Sequence, residues 1–238
     1  IIIAIIAIVY YIFDTKAIVK ENEEYAAKII EYIQQQEAIK QQEEEEVRLA
    51  KLPTLTDEGK ENIKNIYTSE TKRAFLTFDD GPSNNTNDIL DILNANEIKA
   101  TFFVLGSQVV TFPETTKRIY DEGHYIANHG YSHVYTQIYQ SSQTVLDEFN
   151  QCNQAVVDAI GETEYNSHLF RFPGGSFGGK YEQLKNEAKT LLEENDIMYV
   201  DWNSLTGDSE IKEPTEEYLM SNLQKTTNGK NSIVVLMH

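Results

Sequence analysis

"RAFLTFDDGPS", residues 73–83, is a short apolar run that breaks off on two adjacent carboxylates, followed at once by Gly and Pro. Apolar runs of this length, bounded by turn residues, read as buried strands. The next stretch, "NTNDILDILNANEI" (85–98), has helical periodicity, with Ser83 or Asn84 available as its cap. This order of strand, polar break and helix recurs to the end of the chain. Strands are predicted at "ATFFVLG" (100–106), "HYIANHG" (124–130), "HLFRFPGG" (168–175), "IMYVDW" (197–202) and "SIVVLMH" (232–238). Helices are predicted at "PETTKRIYDEG" (113–123, ending at Gly123), "SSQTVLDEFNQCNQAVVDAIG" (141–161), "KYEQLKNEAKTLLEEND" (180–196) and "TEEYLMSNLQKTT" (215–227). Such alternation implies a parallel sheet with crossover helices, and both a doubly wound sheet and a barrel satisfy it. Polar clusters at the carboxyl ends of strands one, three, four, five and six favour the barrel, which gathers its strand ends around one mouth. An open sheet would spread them along a line.

Upstream the texture differs. Residues 1–13, "IIIAIIAIVYYIF", are uncharged and almost wholly apolar. Thirteen residues fall short of the roughly 20 that span a bilayer as a helix. We therefore read residues 1–19 as a fragment of a membrane anchor or signal segment, with a retained anchor favoured because no A-x-A-like cleavage signal follows. Residues 20–51 carry apolar positions at Tyr25, Ile29 and Ile33 and at Ala26 and Ile30 amid Glu, Gln and Lys, the pattern of a helical stalk with a face for self-association. Residues 52–71 read as a linker, and residues 72–238 as the main domain.

Acids outnumber bases 38 to 20, a formal charge of −18. Nothing supplies the basic footprint of a nucleic-acid binder. Cys152 is the only cysteine, which excludes an intrachain disulfide and a thiolate-rich metal site. It lies in a helical pattern, where a buried structural thiol is expected.

Chemistry is concentrated at the strand ends. "HGYSH" sets His129 and His133 four apart, which in a helical turn would put both imidazoles on one face. With an Asp from another strand end, they make the three N/O ligands of a catalytic zinc site, although other divalent ions accept the same set. In an extended segment Asp79 and Asp80 point opposite ways, so one can ligate an ion while the other stands beside it as a base. In isolation, "DDGP" suits an Asx turn equally well. Arg171 is placed to orient a carboxylate and lower its pKa, or to pack on Phe170 or Phe172 as a surface residue. His238 is placed to act as general acid, with Asp201 holding its tautomer. Trp202 is read either as a pocket wall or as core.

Taken in order, "TFDDGP", "HGYSH", "RFPGGS", "DW" and "LMH" resemble the five motifs of the polysaccharide deacetylases (the NodB homology domain, carbohydrate esterase family four), from about Lys72 onward. The resemblance implies an α/β fold, a deformed (β/α) barrel of the NodB type, here preceded by the anchor fragment and stalk. It implies a metal-dependent N-deacetylase acting on N-acetylated polysaccharide. In those terms Asp79 is the general base, and Asp80, His129 and His133 are metal ligands. Arg171 orients Asp79, Asp201 tunes His238, and His238 protonates the leaving amine. The cofactor implied is a divalent metal, with Zn2+ favoured over Co2+, Ni2+, Mn2+ or Fe2+. Where many relatives have a Tyr after the Pro of the third motif, this chain has Gly174, which retains the backbone N–H that serves there as oxyanion donor. Relatives also continue past the position of His238, so the domain is expected to be C-terminally incomplete. An anchored, stalked domain would act outside the cytoplasm, facing the cell wall, or be secreted. Peptidoglycan N-acetylglucosamine is the expected substrate. Chitin oligomers, another exopolysaccharide or acetylxylan are alternatives, and a non-catalytic cell-wall-binding protein is the alternative of another class.

Overall fold

The computed structural model describes the backbone of residues 2–238; Ile1, the first residue of the expected anchor segment, lies outside the described residues. The chain divides into two compact units, Ile1–Lys51 and Leu52–His238. The described part of the first is dominated by one helix, α1 (Ile2–Leu49), 48 residues long. No boundary separates the apolar start from the charged stretch, because residues 2–49 contain neither Gly nor Pro and are rich in helix formers. Pairs such as Lys20–Glu24 and Lys40–Glu44 reinforce the helix at i,i+4 spacing. Its apolar side chains, Ile6, Ile8, Val9 and Phe13 among them, face solvent. Among the described residues, no helix is long and apolar enough to cross a membrane.

The stretch 52–71, expected to be a linker, holds α2 (Asp57–Lys64), whose N-terminus is capped by Thr56 Oγ1 accepting from Gly59 N at 3.0 Å. The alternating region then runs β1 (Arg73–Asp79), α3 (Thr86–Ala95), β2 (Thr101–Val104), α4 (Gly106–Thr111), α5 (Pro113–Asp121), β3 (Tyr125–Asn128), α6 (Tyr135–Ile138), α7 (Ser142–Ile160) and β4 (Leu169–Phe170). It continues through α8 (Glu182–Glu194), β5 (Met198–Tyr199), β6 (Ser204–Leu205), α9 (Glu216–Thr227) and β7 (Ser232–Met237). The cap expected for α3 at Ser83 or Asn84 is instead Asn85, and Ser83 N donates to Thr86 Oγ1.

The described strands form one parallel sheet in the order β5-β4-β3-β2-β1-β7-β6. The two edge strands are consecutive in sequence, joined by residues 200–203. Five Cα steps reach at most about 18 Å. Seven strands laid flat would separate the edges by about 29 Å at the usual strand spacing. The sheet must therefore curl until its edges approach, and it is a half-barrel with a gap between β5 and β6. The strand count exceeds the sequence-based expectation by one, since β6 was not anticipated.

Both faces of the curled sheet are buried, as parallel strands covered by helices require. Phe102 and Val104 of β2 and Ile126 of β3 face outward, meeting Leu90 of α3, Ile119 of α5 and Cys152 and Val156 of α7. Phe103, Ala127 and Val200 form the small inner cluster. Cys152 is wholly buried, its Sγ 3.4 Å from Val104 O, and burial pushes its thiol pKa up, as a structural thiol requires.

Candidate active site

The carboxyl ends of β1, β3, β4 and β7 converge on a cavity of about 390 Å³, lined by Asp79, Asp80, His129, His133, Tyr135, Gly174, Trp202 and His238, among others. β1 delivers the two carboxylates differently from a plain extended segment. Asp79 is the last residue of the strand, whereas Asp80 turns into the left-handed region at φ 70°. That reversal, rather than strand alternation, separates the two side chains.

Asp79 is buried and receives Arg171 Nη1 at 2.7 Å. Burial raises its pKa, and the guanidinium beside it opposes the rise. Arg171 is itself wholly buried and fully employed. Its Nη1 also donates to Thr77 Oγ1, its Nε to Val200 O and its Nη2 to Asp201 O, while the guanidinium carbon lies 3.9 Å from the centre of the Phe103 ring. The reading of Arg171 as a surface residue is thereby overturned.

Asp80 Oδ1 lies 3.5 Å from His129 Nε2 and 3.5 Å from His133 Nε2. The three ligand atoms all lie within 4.8 Å of one another. His129 Nδ1 is 2.7 Å from Arg171 O, and a carbonyl only accepts, so Nδ1 carries the hydrogen and Nε2 presents its lone pair. Burial drives the His129 pKa far down, which keeps the ring neutral as a ligand must be. Among the described residues, Asp80 Oδ1 is buried with no hydrogen-bond partner. An orphaned carboxylate oxygen facing two imidazole nitrogens fits a divalent cation and leaves little room for a purely structural reading. "HGYSH" is not helical as expected: His133 sits in a loop at φ 56°. Glu148 of α7 builds that loop, accepting from Tyr131 N, Ser132 N and Ser132 Oγ at 2.6–2.7 Å.

His238 and Asp201 are not brought together. The Asp201 carboxylate accepts from Ser176 N at 2.9 Å and Ser176 Oγ at 2.6 Å, so it pins the loop after β4. The partner of His238 is Asp208, whose Oδ1 lies 3.0 Å from Nδ1 and whose Oδ2 accepts the backbone N–H at 2.5 Å. The unforeseen strand β6 is the cause, since it pairs with β7 and carries the chain on to Asp208. The bond to Asp208 raises the His238 pKa; burial pushes Asp208 up, but its bonds to His238 outweigh this and leave it low. A second strand-end carboxylate after "SLTG" was the available signal. Trp202 lines the cavity and lies against Gly175, so it is pocket wall.

A family model for polysaccharide deacetylases matches residues 66–191 of the chain. The chain belongs to the polysaccharide deacetylase family. The members of this deacetylase family that resemble it are hydrolases, and the family is metal-dependent. YheN of Bacillus subtilis is 34% identical over 184 residues, covering 74% of this chain and 62% of that one. A peptidoglycan-N-acetylglucosamine deacetylase of Bacillus cereus is 31% identical over 201 residues, covering 82% of this chain and 70% of that one. The chain thus spans somewhat less than two thirds of YheN. Among solved structures, the catalytic domain of the peptidoglycan N-acetylglucosamine deacetylase from Eubacterium rectale superposes with a TM-score of 0.64 at 31% identity, covering 72% of this chain and 80% of that one. The half-barrel is thus the fold of this deacetylase family.

Proposed function

We propose that the chain hydrolyses the acetamide of N-acetylglucosamine residues in peptidoglycan, releasing acetate, with a divalent cation, zinc for preference, on Asp80, His129 and His133. The observation that carries the reading is the partnerless Asp80 Oδ1 facing two imidazole nitrogens, beside a second carboxylate already held by Arg171. When bound, the cation supplies polarisation of the acetamide carbonyl and a lowered pKa for water. Asp79 takes a proton from the attacking water, and Arg171 fixes the direction of its carboxylate. The Gly174 N–H faces the developing oxyanion. His238, held by Asp208, protonates the nitrogen as the C–N bond breaks, so the products are acetate and a free amine. This complete set supports catalysis over a non-catalytic wall-binding role.

The peptidoglycan substrate is supported by the names of the relatives from Bacillus cereus and Eubacterium rectale. On the same basis we place the activity outside the cytoplasm. The solvent-facing apolar turns at the start of α1 support contact of that segment with a membrane, and exposed Tyr25, Ile29 and Ile33 support self-association through the helix. The test is acetate release from peptidoglycan, chitin oligomers, an N-acetylated exopolysaccharide and acetylxylan, each with and without chelator. Chelator-sensitive release, fastest from peptidoglycan, is expected. Release confined to acetylxylan, or undiminished after metal removal, would contradict the proposal.

The His238–Asp208 pair has its own signature. A general acid works in its protonated form, and Asp208 keeps His238 protonated to higher pH. Asp208→Asn lowers that pKa, so the alkaline limb of kcat is expected to move to lower pH, with a loss of about tenfold on that limb. An unmoved alkaline limb in the pH–rate profile would remove Asp208 from this role.

A further inference from the structure

The wall of the cavity beside the metal ligands contains a group that none of the five motifs supplies. Tyr135, the first residue of α6, sits between His133 and Gly174 and lines the same cavity as Asp80 and His238. Its ring is held on two sides: its centroid lies 5.6 Å from that of His133 and 5.7 Å from that of Tyr139, and Tyr139 Oη is tied to Pro173 O at 2.7 Å. Its own hydroxyl has no hydrogen-bond partner among the described residues, whereas the Tyr139 hydroxyl beside it is engaged by Pro173 O.

Gly174 and Tyr135 are complementary in shape. A Cβ at residue 174 would lie 2.4 Å from Tyr135 Oη and 3.1 Å from its Cζ, and the backbone there is left-handed at φ 74°. A side chain at 174 would be strained by the backbone and would force the Tyr135 hydroxyl to move. The volume such a side chain would fill belongs to the Tyr135 hydroxyl, delivered from a different loop. An unengaged O–H donor on a clamped ring, one side chain away from the metal ligands, is a preorganised partner for a carbonyl oxygen.

We infer that Tyr135 contacts the acyl group of the substrate, its hydroxyl donating to the carbonyl oxygen and its ring limiting the acyl pocket to acetyl size. This rests on the deacetylase reading above for the identity of the substrate. The hydroxyl adds a donor alongside the Gly174 N–H, so it strengthens as negative charge develops and acts on kcat more than on KM. The ring limits length, and one methylene in a closed apolar pocket is worth about 10- to 200-fold in discrimination.

The test uses Tyr135→Phe and Tyr135→Ala in the metal-loaded chain, with two independent measurements. The first is acetate release from peptidoglycan. Tyr135→Phe should keep its metal content and KM and lose about 10- to 100-fold in kcat, short of the loss when a sole oxyanion donor is removed. The second is calorimetric binding of acetate and propionate, which needs no turnover. Tyr135→Phe should bind acetate about tenfold more weakly, and Tyr135→Ala should accept propionate as well as acetate. Absence of acetate release from the unaltered chain would defeat the deacetylase reading alone, leaving the binding measurement to decide Tyr135. Unchanged kcat and unchanged acetate affinity in Tyr135→Phe, or retained exclusion of propionate in Tyr135→Ala, would overturn the assignment.

Discussion

Asp80→Ala is expected to abolish both tight binding of a divalent cation and acetate release, while leaving the metal-free protein folded. The three candidate ligand atoms come from two strand ends, and only Asp80 contributes a negative charge. Without it, two neutral imidazoles remain, a weak pair for any divalent ion. Loss of turnover should exceed the roughly 10²–10⁴-fold that follows removal of a positioned acid or base. Folding should survive because Asp80 Oδ1 has no hydrogen bond to lose. Removing an unsatisfied buried oxygen relieves about 1–3 kcal/mol, and Ala at a left-handed position costs about 1–2 kcal/mol. The two roughly offset each other. Metal analysis, acetate release and metal-free thermal unfolding check the three parts. A variant that keeps its metal and turnover would remove Asp80 from the ligand set.

Asp79→Asn is expected to separate the two carboxylates. The amide cannot take a proton, so kcat should fall by roughly 10²–10⁴-fold. Metal content should persist, because Asp79 is engaged with Arg171 and its Oδ2 stands 3.9 Å from His129 Nε2 rather than among the ligand atoms. The substitution also leaves Arg171 without a buried anion. Breaking a buried ion pair outright costs about 3–5 kcal/mol. The cost here should be lower, since the Asn carbonyl can still accept from Nη1, and Thr77, Val200, Asp201 and the Phe103 ring still hold the guanidinium. Metal content and turnover, both normalised to the folded fraction, give the answer. A variant that loses its metal together with its turnover would show that Asp79 is a ligand.

The alternation of strands and helices was legible because β1, β7 and α7 are long enough to show a period. β4, β5 and β6 are two residues each, and two residues carry no period. β4 and β5 were found through the polar residues after them; β6 was missed. That omission accounts for the partner expected for His238: without β6, Asp201 is the carboxylate at the end of the strand preceding β7, whereas the sheet brings Asp208 alongside. His129 and His133 do come together, but not through a helical turn, since the loop carries a left-handed His133 and is built by Glu148 from a distant helix. Spacing identifies which residue types travel together; which of them touch is decided by the fold. α2 was hidden by its charge, although Thr56 offered the usual capping signal.

The most direct measurement is an anomalous difference map, recorded at the absorption edge of the cation bound by the purified chain. The expected result is one peak within bonding distance of Asp80 Oδ1, His129 Nε2 and His133 Nε2, with Asp79 directed at Arg171 and outside bonding distance. A peak bonded to Asp79, or one lying elsewhere in a chain that releases acetate, would contradict the division of labour between the two carboxylates.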